Sequence, residues 1–315
     1  MSDHEWAKLE TDTTSTVVNV FWRQWRALGG GASGRPAKGL IDPEVLVLGS
    51  LYLTEAEPRL WTVMTDWLLD GSRFLSVQRL RNLRRGFPRT NDRLADLAHF
   101  AVNEARDARW RALKEKNAPA HPTVRRESPS RRRSSELVLD TPAGLMLRLR
   151  AAFGVGLKAD LLTFLLGHRH RTTVATAASA LGYSTAHVFR GLQDLLVARL
   201  VQATDLPAAT EYSIPSVLFD GWSRLLGLKD VPEWRPWKET IAYAIRLLAW
   251  VSERGSVTTS DYAAAVALRE LSERWKAESV HAGAAATLPT TPKGSESDAW
   301  RKHTRTVLAT MTAWA

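Results

Sequence analysis

Along most of the chain, apolar residues recur at the three-to-four-residue spacing of helices, broken by Gly, Pro and capping residues. Val17–Leu28 (VVNVFWRQWRAL) carries a helical apolar stripe that stops at Gly29-Gly30-Gly31. Asp42-Pro43 pairs a favoured N-cap with proline at the first helical position, and apolar residues follow to Leu53. Pro58 opens RLWTVMTDWLLDG, which Gly71 closes. Ser76 caps VQRLRNLRR, with Val77, Leu80 and Leu83 on one side, and Asn91 or Asp92 caps a long run behind it. About five helices and no clear strand are expected before residue 115.

The pattern is most regular between 137 and 218. Pro142 starts GLMLRLRAAFG, and GLKADLLTFLLG is a helix expected to end at Gly167. Thr172 or Thr173 caps VATAASALG, which ends at Gly182, and Ser184 caps TAHVFRGLQDLLVARL. RLVQA and TEYSI then read as short β-runs around the turn TDLPAA. Helix, small helix, capped helix and ribbon is the order of a winged helix-turn-helix. Its middle helix must be thin, and Ala175, Ala177, Ala178 and Ala180 make it so. On the third helix Val188, Leu192, Leu195 and Leu196 turn inward, leaving Tyr183, Thr185, Ala186, His187 and Arg190 on the outer side.

Asp230–Gly255 returns to helix, and Thr259 or Ser260 caps a last long helix to about Glu278. A low-complexity run over 281–298 precedes a short amphipathic tail. The chain is therefore expected to be mainly α, with a winged helix-turn-helix domain and β-hairpin wing flanked by N- and C-terminal helical domains. The expected divisions are a helical domain at 1–115, a linker at 116–136, the winged domain at 137–218, a helical domain at 219–280 and a linker with tail at 281–315.

Charge changes the picture. The 315 residues carry a net charge of +10, which makes an acidic partner such as nucleic acid a fair expectation. Half of that charge lies in KEKNAPAHPTVRRESPSRRR, which ends in Arg131, Arg132 and Arg133 and has almost no large apolar residue. It reads as a solvated hinge or a basic arm for phosphates. A second basic stretch runs from Gln78 to Arg89, with Arg79, Arg81, Arg84 and Arg85 between, and Ser76–Arg85 is a candidate second DNA-contacting helix. The polar N-terminus is no signal peptide, and no apolar run approaches a membrane span, so a soluble, cytoplasmic protein with no membrane partner is expected.

LRLRAAFGVGLKADLLTFLLGHRHRTTVATAASALGYSTAHVFRGLQDLLVARLV resembles winged helix-turn-helix transcriptional regulators of the ArsR/MarR-like type. It is similar in particular to bacterial ones encoded beside nucleotidyltransferase-like proteins. The likeness covers residues 145–215, about a quarter of the chain. It implies sequence-specific binding of double-stranded DNA, often as a homodimer, with the third helix reading bases and the wing touching phosphate. By position it assigns Tyr183, Ser184, Thr185, His187 and Arg190 to DNA, and Thr172 and Thr173 to the backbone. The wing departs from the pattern. It holds Asp205 and Glu211 and no Lys or Arg between Gln202 and Ile214, so Arg169, Arg171 and the linker arginines would have to supply the cations.

Other patterns lead elsewhere. GGGASGRP (Gly29–Pro36) has phosphate-loop glycine spacing, but Arg35 and Pro36 stand where Lys and Ser or Thr are needed. Gly154-x-Gly156-x-x-Ala159 lacks a preceding buried strand and an acid further on, and reads as a bend. His168 and His170 lie among arginines with no carboxylate nearby, and the chain has no Cys, so no metal is expected. No Ser–His–Asp set, carboxylate pair or HExxH is present, and neither an enzyme nor a cofactor is expected. The 13 Trp residues read mainly as core, with EWRPWKE the best candidate for exposed aromatics. Two functions follow: a DNA-binding transcriptional regulator, or an antitoxin-like or adaptor subunit that holds a protein partner such as a nucleotidyltransferase-like protein.

Overall fold

The computed structural model describes residues 3–31, 34–87, 89–114, 137–254, 266, 269–271, 273–281 and 296–315. The linker at 116–136, with Arg131, Arg132 and Arg133, lies outside them, as does most of the run over 281–298. Among the described residues the protein is mainly helical, with one small antiparallel sheet.

The first part is built from α1 (Asp3–Ala27), α2 (Pro43–Leu53), α3 (Arg59–Gly71), α4 (Val77–Leu83) and α5 (Asn91–Asn103). Asp42 caps α2 by accepting from Val45 N at 3.2 Å, and Ser76 caps α4 by accepting from Arg79 N at 3.2 Å. The α5 helix instead begins at Asn91 itself, with Thr90 at the cap position and no side-chain bond. In the second part come α6 (Leu145–Phe153), α7 (Leu157–His168), β1 (Thr172–Thr173), α8 (Val174–Leu181), α9 (Thr185–Val197), β2 (Gln202–Asp205), β3 (Thr210–Ser213) and α10 (Ser216–Leu225). The sheet order is β1-β3-β2, with Thr172 opposite Tyr212 and Ala203 opposite Tyr212 from the other side. A two-residue β1 carries no period-two signal, so only the hairpin was legible. The α7 helix runs one residue past Gly167, and Arg169 takes the left-handed position at φ 61°. Gly167 serves a close approach instead: Trp234 N donates to its carbonyl at 2.9 Å, and a Cβ there would lie 2.8 Å from that nitrogen.

Burial does not follow chain order. One core joins α1 to α5 with α11 (Trp237–Arg254) and α13 (Glu296–Trp314), through residues such as Phe21, Trp67, Ile241, Ile245, Val307 and Met311. The other holds α6 to α10 and the sheet. The expected C-terminal domain at 219–280 is thus divided between the two, and the expected amphipathic tail is a helix that packs its Val307 and Met311 side into the first core and leaves Lys302, Arg305 and Thr312 exposed. Periodicity shows that a helix has an apolar face, but not which face covers it. The short helix α12 (Lys276–His281) is tied back to α11 by Arg246, whose guanidinium meets Glu278 at 3.1 Å. Tryptophans lock the first core: Trp25 Nε1 donates to Ser50 Oγ at 2.8 Å, Trp67 Nε1 to Leu28 O at 2.9 Å and Trp237 Nε1 to Leu40 O at 2.8 Å. EWRPWKE is not an aromatic surface, because Trp237 is buried and Trp234 meets the Phe164 ring edge-on at 5.2 Å.

A buried charge network fastens the two cores together. Arg79 donates to Asp42 and, at 2.6 Å, to Glu44; Arg150 donates to Glu44 at 2.6 Å and to Asp160 at 2.7 Å. Every one of these side chains is almost wholly buried. Ser76 N, at the start of α4, gives Glu44 a further hydrogen bond at 2.7 Å. Burial alone would raise the Glu44 carboxyl, but the guanidiniums of Arg150 and then Arg79 override it and hold it at about 2.

Two outcomes follow for stability. Glu44 takes up a proton less readily folded than unfolded, so its contribution is complete above its ordinary value of 4.5 and is lost as pH falls toward 2. Urea unfolding across that window should show the loss for the wild type and less of it for Glu44→Gln; equal acid sensitivity contradicts the assignment. Arg150→Met strands Glu44 and Asp160 as buried, under-compensated carboxylates and should cost about 3–5 kcal/mol at neutral pH. A cost below about 1 kcal/mol, the range of exposed pairs, contradicts it.

Candidate nucleic-acid interface

The exposed edge of the second core is built around the start of α9. Gly182 ends α8 in the left-handed conformation at φ 72°, which reverses the chain within one residue. Ser184 then caps α9 by accepting from His187 N at 3.4 Å. Val188, Gly191, Leu192 and Leu195 are buried, and Gly191 lets α9 cross close over α7, since a Cβ there would lie 2.8 Å from Leu157 and 2.9 Å from Leu161. The opposite face leaves Ser184, Thr185, Ala186, His187, Phe189 and Arg190 exposed. Beside it, Thr173 caps α8 by accepting from Thr176 N at 3.2 Å, and Ala175 and Thr176 are exposed. The first-turn N–H groups of both helices therefore lie next to exposed polar side chains, an arrangement suited to an anion.

The sequence-expected residues do not all meet on this face. Ser184, Thr185, His187 and Arg190 lie on it, with Thr173 half-buried at its edge. Thr172 is buried as the β1 partner of Tyr212. Tyr183, expected on the outer side, is 9% exposed and donates its hydroxyl to Asp160 Oδ2 at 2.8 Å, with its ring edge-on to His187 at 5.6 Å. Burial, then the Asp160 charge, pushes its phenol well above the ordinary range, so it stays a neutral donor. The signal for this was legible: the residue before an N-cap often turns its apolar body inward against the helix's first turn. Arg169 is occupied, donating to Val231 O with its guanidinium over the Phe219 ring at 5.9 Å. Arg171 is exposed at the β1 edge. His168 stacks on Phe164 at 4.9 Å, and burial, then His170, lowers its pKa.

What sequence reasoning missed is that α4 buttresses the α8–α9 turn. Arg79 Nε donates to Leu181 O at 2.8 Å and Asn82 Nδ2 to Gly182 O at 3.2 Å. A Cβ on Gly182 would lie 2.5 Å from the Leu83 side chain, so a larger residue there must displace Leu83 and adopt a strained positive φ. Nothing local to residues 76–89 announces a contact with residues about a hundred positions away. The buried network thus ends at α9: Glu44 holds Arg150, Arg150 holds Asp160, and Asp160 holds Tyr183.

Among the described residues no group of three or more His, Asp or Glu could hold a metal, and no helix is long and apolar enough to cross a membrane. Tyr183→Phe removes one of the two donors to Asp160 Oδ2, leaving the Arg150 guanidinium at 3.0 Å as the other. It should cost about 1–3 kcal/mol in urea unfolding, with faster amide exchange over 183–187; unchanged stability and exchange would detach Tyr183 from the support of α9. Compared with known proteins, the chain matches no family model, no curated protein and no solved structure.

Proposed function

We propose that this protein is a DNA-binding transcriptional regulator that reads duplex DNA with the N-terminal half of α9. The observation that carries the reading is the exposed polar start of α9, with Ser184, Thr185, His187 and Arg190 standing clear of the core while Val188 and Leu192 anchor the other side. The order α7, β1, α8, α9, β2, β3 with a small antiparallel β1-β3-β2 sheet supports reading this part as a winged helix-turn-helix, a motif in which this end of the third helix enters the major groove. In such a pose Arg190 and His187 face base edges, and the starts of α8 and α9 offer N–H groups to phosphate.

A second reading, an adaptor or antitoxin-like subunit, draws on one feature. Val197 on α9 and Val217 and Leu225 on α10 are large apolar side chains left mostly exposed, at 87%, 76% and 72%.

The test is selection of random duplex DNA by the full-length protein at two salt concentrations, with the bound pool sequenced. An enriched sequence, with binding that weakens as salt rises, supports the regulator. No binding at either salt contradicts it and favours the protein-partner reading. Arg190→Ala should cost about 1–3 kcal/mol on the enriched sequence and relax the preference at one base pair; a uniform loss on all sequences contradicts a base-reading role.

A further inference from the structure

The five arginines between residues 79 and 89 have different fates. Arg79 is sealed in the buried network, and Arg89 pairs with Glu253 at 2.6 Å. Arg81 and Arg85 are exposed and have no carboxylate partner among the described residues. On α4, Gln78, Arg81 and Asn82 follow the i, i+3, i+4 spacing that gathers side chains on one helical face, and Arg85 lies in the 3-10 turn Arg84–Gly86 that directly continues the helix. That face adjoins α9, because Asn82 bonds Gly182 O, two residues before the Ser184 cap, and is itself bonded by Gln78 at 3.0 Å.

A duplex lying over the start of α9 presents a phosphate strand on each side of a groove about 12 Å wide. The hairpin side holds Asp205 and Glu211 and no cation between Gln202 and Ile214. The turn side holds Arg81 and Arg85. The backbone that carries Arg81 is held in place, since Arg79 in the same helix is fixed by Asp42, Glu44 and the Leu181 carbonyl.

We propose that α4 and the 3-10 turn that follows it are a second contact to the same duplex, with Arg81 and Arg85 on the phosphates that flank the α8–α9 turn. This rests on α9 binding DNA. The α4 helix then supplies the neutralisation that the hairpin lacks, and does so without regard to sequence.

The experiment measures affinity of the full-length protein for labelled duplexes about three helical turns long, one carrying the enriched sequence and one scrambled, over a range of salt. R81A/R85A should bind both duplexes about 10- to 100-fold more weakly at 0.1 M salt, with the slope of log affinity against log salt shallower by about 2. R81K/R85K should recover most of the loss, because the charge is what matters. Unchanged affinity and slope, or a loss confined to the enriched sequence, overturns the α4 contact while leaving α9 as the reader. Failure of the wild type to bind any duplex overturns both. Because the chain has no Cys, R85C carries a single iron–EDTA cleaving label. Cleavage of the backbone beside the enriched sequence is expected, and none there contradicts the contact independently of affinity.

Discussion

Glu44 is the residue on which the rest of this structure depends. It lies in the first turn of α2, fully buried, and binds guanidiniums from opposite parts of the chain: Arg79 of α4 and Arg150 of α6. Asp42 and Asp160 complete the neutralisation from either side. Two buried cations and three buried carboxylates are tolerable only when the geometry satisfies all of them, so the set acts as one fastening rather than as separate bonds. It joins the two hydrophobic cores, alongside the Trp237 bond to the Leu40 carbonyl and the Asn82 bond to the Gly182 carbonyl. Replacing the whole set with well-fitted apolar residues could leave stability unchanged, whereas removing one member could not.

The same fastening reaches the exposed face. Asp160 takes the Tyr183 hydroxyl and Arg79 takes the Leu181 carbonyl, so the residues on both sides of Gly182 are held from inside. The start of α9 is thereby presented as a rigid element, the condition for reading a groove without an ordering cost. The proposed division of labour follows from where charge was left over. Arginines that neutralise buried carboxylates are spent, and in the proposal Arg81 of α4 and Arg85 of the turn after it are those left for phosphate.

Much of this was legible in the chain. The α8–α9 unit was visible because its signals are local: alanines that thin α8, Gly182 at the turn, and Thr173 and Ser184 at the caps. The caps of α2 and α4 were visible for the same reason. The return of α11 and α13 to the first core was not visible, because an amphipathic stripe names no partner. Nor was the fate of individual arginines. Arg79 and Arg81 are two positions apart in one basic run, yet one is sealed and the other exposed, and only the tertiary register decides which. Tyr183 lies inside rather than on the outer face because it stands just before the helix, where cap geometry and not helical phase governs its direction.

Hydrogen–deuterium exchange of the full-length protein, with and without a duplex it has selected, tests the central claim most directly. Protection should appear together over 184–190 at the start of α9 and over 78–85, spanning α4 and the turn after it, with the hairpin over 205–210 little changed. Protection confined to α10 and the far end of α9, or no change in either segment with DNA bound, would contradict the account.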